Sequence, residues 1–120
     1  MTTVRELHGT TVLVLPADGP PIAGEADALD LVAAASGSDA ALVAVPVERF
    51  DERFFTLSTG VAGAVLQKLV QYRTRLAVVG DVAGHVERSS ALRDLVRECN
   101  RGRDTWFVAD LEELAGRLAR

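Results

Sequence analysis

Two side chains able to exchange protons, Asp81 and His85, lie close together in the stretch Asp81-Val82-Ala83-Gly84-His85. A carboxylate and an imidazole held within hydrogen-bond reach of one substrate make a general acid/base pair once their surroundings separate their pKa values. Glu48, Arg49, Asp51, Glu87 and Asp110 are the other polar groups that follow predicted strands. No nucleophile accompanies them. The chain has no Gly-x-Ser-x-Gly elbow, no Walker loop and no Gly-x-Gly-x-x-Gly after a strand. Asp110 has a sufficient role as a helix cap, because Glu113 three residues on completes a capping box.

Other residues offer binding rather than reaction. Ser58-Thr59-Gly60 stands at a predicted helix start, where backbone N–H groups and the helix dipole welcome an anion. The simpler role for either hydroxyl is to cap that helix, a contribution of about 1 kcal/mol. Phe50, Phe54 and Phe55 fall in an otherwise polar, acidic stretch. Three aromatics there either form an exposed hot spot for a partner or cover the sheet edge. Arg93, Arg97 and Arg101 form a helical row that Asp94 and Glu98 neutralise at i, i+3 spacing. Cys99, the single cysteine, falls on an apolar stripe and reads as an inert packed thiol. It makes no internal disulfide, and no Cys/His spacing suits a metal. Neither a metal nor a cofactor is expected.

The elements that position these groups follow from periodicity. Val4–Leu7 and Thr11–Leu15 flank a turn at His8-Gly9-Thr10 and predict a β-hairpin. A loop over 16–24 leads to a helix over 25–36, with Ala28, Leu31, Val32 and Ala35 on one face. Residues 40–45 predict a strand apolar on both faces, as in buried parallel sheets. A second helix is predicted over 58–73, a strand over 75–80, and a loop over 81–88. Ser89 or Ser90 caps a third helix that Gly102 stops; residues 105–108 form the last strand, and a closing helix follows Asp110. The order ββαβαβαβα predicts one α/β domain over residues 1–120, with a mixed β-sheet and parallel right-handed crossovers after the hairpin. In such sheets ligands bind outside the carboxyl ends of the parallel strands.

Composition narrows the function. With 120 residues and 48% apolar side chains, the chain can bury a core, which the 5% aromatic share makes aliphatic. The formal net charge of −4 lacks the footprint of a non-specific nucleic-acid binder. The apolar run over 40–47 is too short to cross a bilayer, and the N-terminus lacks a basic-then-apolar secretory pattern. A cytoplasmic protein with neither nucleic-acid nor membrane partners is expected.

Phe54-Phe55-Thr56-Leu57-Ser58-Thr59-Gly60-Val61-Ala62-Gly63, Leu66-Gln67-Lys68, Leu76-Ala77-Val78-Val79-Gly80-Asp81 and Glu98-Cys99-Asn100-Arg101-Gly102-Arg103 resemble the bacterial family designated domain of unknown function 4180. That resemblance carries no activity. The element order is also similar to that of STAS domains, regulators in which a serine of an Asp-Ser-Ser-Gly-Leu-Gly motif is phosphorylated by a partner kinase. The matching stretch here is Leu57-Ser58-Thr59-Gly60-Val61-Ala62-Gly63, which implies Ser58 as the acceptor. Leu57 replaces the motif's aspartate, and an aromatic segment over 50–55 precedes it.

The expectation is a non-enzymatic regulatory or binding module. Its candidate site comprises Phe50, Phe54, Phe55, Ser58, Thr59, Gly60, Asp81 and His85, and its partner is a protein or a small molecule. The alternatives are a small enzyme using Asp81 and His85, or a homodimer packed through Gly60, Gly63 and Ala64 of the second helix. Under the protein-partner reading, Phe54→Ala leaves folding intact.

Overall fold

A two-residue turn sets the first register. In the computed structural model, which describes residues 2–120, β1 (Thr3–Leu7) pairs antiparallel with β2 (Thr10–Val14). His8 and Gly9 alone connect them, both at positive φ, the geometry that matches the twist of a hairpin. The chain then runs through α1 (Glu25–Gly37), β3 (Leu42–Pro46), α2 (Glu52–Phe55), α3 (Val61–Gln71), β4 (Arg75–Val79), α4 (Ala83–Arg88), α5 (Ser90–Arg101), β5 (Thr105–Val108) and α6 (Leu111–Leu118). Short 3₁₀ turns at Val47–Arg49 and Leu57–Thr59 flank α2.

The five strands lie in the sheet in sequence order, β1-β2-β3-β4-β5, and β2 to β5 are parallel. Right-handed crossovers that always advance in one direction place every crossover helix on the same face. The packing agrees. Leu13, Val43, Val45, Leu76, Val78 and Phe107 meet α1, α3 and α5 in one core. The alternate side chains, Val12, Leu42, Ala44, Ala77, Trp106 and Val108, meet Leu114 of α6 on the other face. Burial on both faces explains why β3 and β5 are apolar without alternation.

The expected α/β architecture is therefore present, with three local differences. Helix α3 begins at Val61 rather than Ser58. Gly60 takes φ +81, a left-handed conformation that separates the Leu57–Thr59 turn from the helix proper. The segments expected as loops around Phe54 and His85 contain the short helices α2 and α4. The 16–24 loop is bridged to the segment that follows β3, since Ile22 N–H donates to the Arg49 carbonyl (2.7 Å) and Asp51 N–H to the Ile22 carbonyl (3.0 Å). Arg49 itself is occupied there: its guanidinium donates to the Pro16 and Pro20 carbonyls, each at 3.1 Å.

Candidate functional site

The connections leaving β3 and β4 converge at the carboxyl edge of the sheet and enclose a cavity of about 370 Å³. One wall is α2 with the turn after it, supplying Glu52, Phe55, Thr56, Leu57 and Ser58. The other is α4 and the start of α5, supplying His85, Arg88, Ser89 and Ala91. The two walls meet where the His85 imidazole stacks on the Phe55 ring, centroids 4.1 Å apart and planes 11° from parallel.

Local chemistry fixes both walls. Asp51 caps α2 by accepting from Arg53 N–H (2.9 Å), and it pairs with the Arg53 guanidinium at 2.8 Å. The hydrogen bond from the Arg53 side chain holds the Asp51 carboxyl below its usual range. The Thr59 hydroxyl lies against the Arg53 and Thr56 carbonyls (2.6 and 2.8 Å) and within reach of Val61 N–H (3.3 Å). It ties the turn to the start of α3. Across the cavity, Asp81 accepts from Ala83 N–H (2.9 Å) to start α4, and Ser89 caps α5 by accepting from Leu92 N–H (3.1 Å). Arg88 contacts His85 Nδ1 at 3.3 Å. A guanidinium only donates, so this nitrogen accepts.

The structure brings Phe55, Ser58 and His85 together, but not the whole expected set. Phe50, Phe54 and Phe55 are buried, with Phe54 fully so, and their rings pack on one another with centroids 4.6 to 6.2 Å apart. They form part of the core and not an exposed hot spot; only Phe55 also reaches a cavity. Thr59 and Gly60 shape the turn and do not line it. Asp81 lines a separate cavity with Val82, Val86 and Phe107, and it shares no hydrogen bond with His85. Asp110 caps α6 as expected, accepting from Glu113 N–H (2.8 Å) while Glu113 accepts from Ala109 N–H (2.6 Å). Glu48 and Glu87 are exposed.

Two features outside the cavity are also resolved. The arginine row of α5 is partly neutralised along its own helix, through Arg97–Asp94 (4.0 Å) and Arg101–Glu98 (3.0 Å). Cys99 is half-buried against the core; burial raises its thiol pKa, and the charges of Glu98 and Asp104 add to the rise. Among the described residues no three His, Cys, Asp or Glu side chains converge as a metal site requires, and no helix is long and apolar enough to cross a membrane.

The sequence reading missed Glu52, Thr56, Leu57, Arg88 and Ala91, and gave Ser89 only a capping role. The available signals were Asp51 and Asp81, each followed closely by residues able to start a short helix.

Fold and cavity define a class: an α/β domain with a five-stranded mixed sheet and a ligand-sized cavity at the carboxyl edge of its central strands. The chain belongs to the family described as domain of unknown function DUF4180, whose model matches residues 7–118. No curated protein and no solved structure matches it, so the comparisons do not confirm the resemblance to STAS domains.

Proposed function

We propose that this protein is a regulatory binding module that holds a small polar metabolite in the cavity lined by Phe55 and His85, without transforming it. The stacked pair carries the reading. The stacked Phe55–His85 pair, hydroxyls from Thr56, Ser58 and Ser89, one carboxylate (Glu52) and one guanidinium (Arg88) line a single concavity. Sites of this kind combine apolar surface with a few convergent polar groups. A carboxylate and a guanidinium together suit a zwitterionic ligand of amino-acid size. Binding is favoured over the acid/base reading drawn from the sequence because Asp81, the partner expected for His85, lines a different cavity. Burial of the phenylalanines removes the main argument for a protein partner.

The resemblance to kinase-regulated domains gives Ser58 a second role in this scheme. Ser58 is exposed and lines the same cavity as His85 and Arg88. A phosphate there would place a dianion among those two groups and exclude the metabolite.

Native and denaturing mass spectrometry of untagged protein from its own cells tests the reading. A small molecule retained by the wild type and lost from His85→Ala and Ser58→Glu is the expected result. A molecule retained equally by all three proteins would lie elsewhere and overturn it.

A further inference from the structure

At the opposite edge of the sheet, near the amino ends of β2, β4 and β5, four arginines surround a cavity of about 210 Å³. Arg75, Arg103, Arg117 and Arg120 line it together with Thr10 and Trp106. These are four of the thirteen cationic side chains in a chain whose net charge is −4. No Asp or Glu lines the cavity, and none of the four lies within ion-pair distance of a carboxylate among the described residues.

The cluster is preorganised. The guanidinium carbons of Arg75 and Arg117 lie 4.7 and 4.3 Å from the Trp106 ring centroid. Arg75 Nε donates to the Arg103 carbonyl (2.7 Å), Arg117 donates to the Asn100 carbonyl, and the indole N–H donates to the Gly102 carbonyl (2.8 Å). The stacking and the single anchoring bond leave most N–H donors of each guanidinium unspent. Arg75 is half-buried; that burial, with the neighbouring Arg103 charge, lowers its pKa, while Asp104 opposes the shift. Like charges gathered around a cavity that no carboxylate side chain lines are costly, and an anion seated among them removes the cost.

We infer that Arg75, Arg103, Arg117 and Arg120, arranged around Trp106, form a binding site for a phosphoryl dianion, either free phosphate or the phosphoryl end of a small metabolite. Planar guanidinium forks match phosphoryl oxygens in pairs. The cavity holds on the order of seven waters' volume, which suits one such group with the rest of a larger ligand outside. Trp106 is almost fully buried, so a base has no free indole face on which to stack. The site shares no residue with the Phe55–His85 cavity and stands independently of it.

Trp106 is the sole tryptophan and reports on its own site. The test follows its emission while titrating inorganic phosphate, pyrophosphate and glycerol 3-phosphate at constant ionic strength set with chloride. A saturable change with at least one of them is expected, weakened about tenfold in Arg103→Gln/Arg120→Gln. Both replaced side chains are exposed and neither stacks on the indole, so the variant keeps its fold. A response to all three probes assigns the site to the phosphoryl group itself; a response to the ester alone assigns it to a metabolite. No saturable change, an equal change with chloride, or an unweakened variant overturns the inference. So does binding of a dT oligonucleotide where the three small probes fail.

Discussion

Stacking on Phe55 fixes what His85 is free to do. The imidazole lines the cavity with Nδ1 occupied by Arg88, while its face rests on a ring the core holds still. His85→Ala should therefore remove ligand binding with little loss of stability, because the side chain is only partly buried and sits on a short surface helix. Phe54→Ala should do the reverse. Its ring is fully buried, and such truncations cost about 3–5 kcal/mol, a large part of the ~5–15 kcal/mol that stabilises a domain. Urea denaturation measures both; with its ring in the core, Phe54→Ala does not leave folding intact as the protein-partner reading expected. Because burial raises the Cys99 pKa, its thiolate fraction at pH 8 is smaller than that of a free cysteine. Alkylation of the native protein at pH 8 should be slower than that of the urea-unfolded chain, and the gap should narrow as the pH rises.

Helix α3 carries a glycine that the chain itself does not explain. Gly63 is exposed, and a Cβ added there meets nothing within 4 Å. Close packing of α3 on the sheet is therefore not its reason. Gly63→Ala should stabilise the monomer by about 1 kcal/mol in a thermal melt. If α3 instead packs on a second copy, the same substitution should weaken self-association in sedimentation. At the other end of the chain, Asp110→Ala removes the acceptor for Glu113 N–H and should cost about 1 kcal/mol. Elements of this kind were legible in the sequence: α1, α5 and α6 each have an apolar stripe, a cap or a stop. Helices α2 and α4 were not legible. Four and six residues are too few for a 3.6-residue period to register, and their starts depend on Asp51 and Asp81 accepting backbone N–H bonds. Both walls of the cavity rest on these two helices, so Phe55, Ser58 and His85 were assigned to one site but the stacking of His85 on Phe55 was not foreseen.

Across the whole molecule the two faces of the sheet are covered unequally. Three crossover helices and the phenylalanine cluster cover one face, whereas α6 alone covers the other. Leu114→Ala, at the centre of that smaller layer, should cost about 2–5 kcal/mol and loosen the Trp106 surroundings as well. The outer edge of β5 is closed by a side chain: Asn100 accepts from Phe107 N–H (2.7 Å) and donates to its carbonyl (3.3 Å), as a neighbouring strand would. At the far edge β1 is exposed and carries Arg5 and Glu6, charges that discourage edge-to-edge pairing. The central claim concerns the carboxyl edge between these flanks. Its most direct test is the amide NMR spectrum of ¹⁵N-labelled protein with and without the low-molecular-weight fraction of its own cell extract. The account predicts shifts concentrated at residues 52–58 and 85–91 that disappear in His85→Ala. Shifts confined to other surfaces, or none at saturating extract, would contradict it.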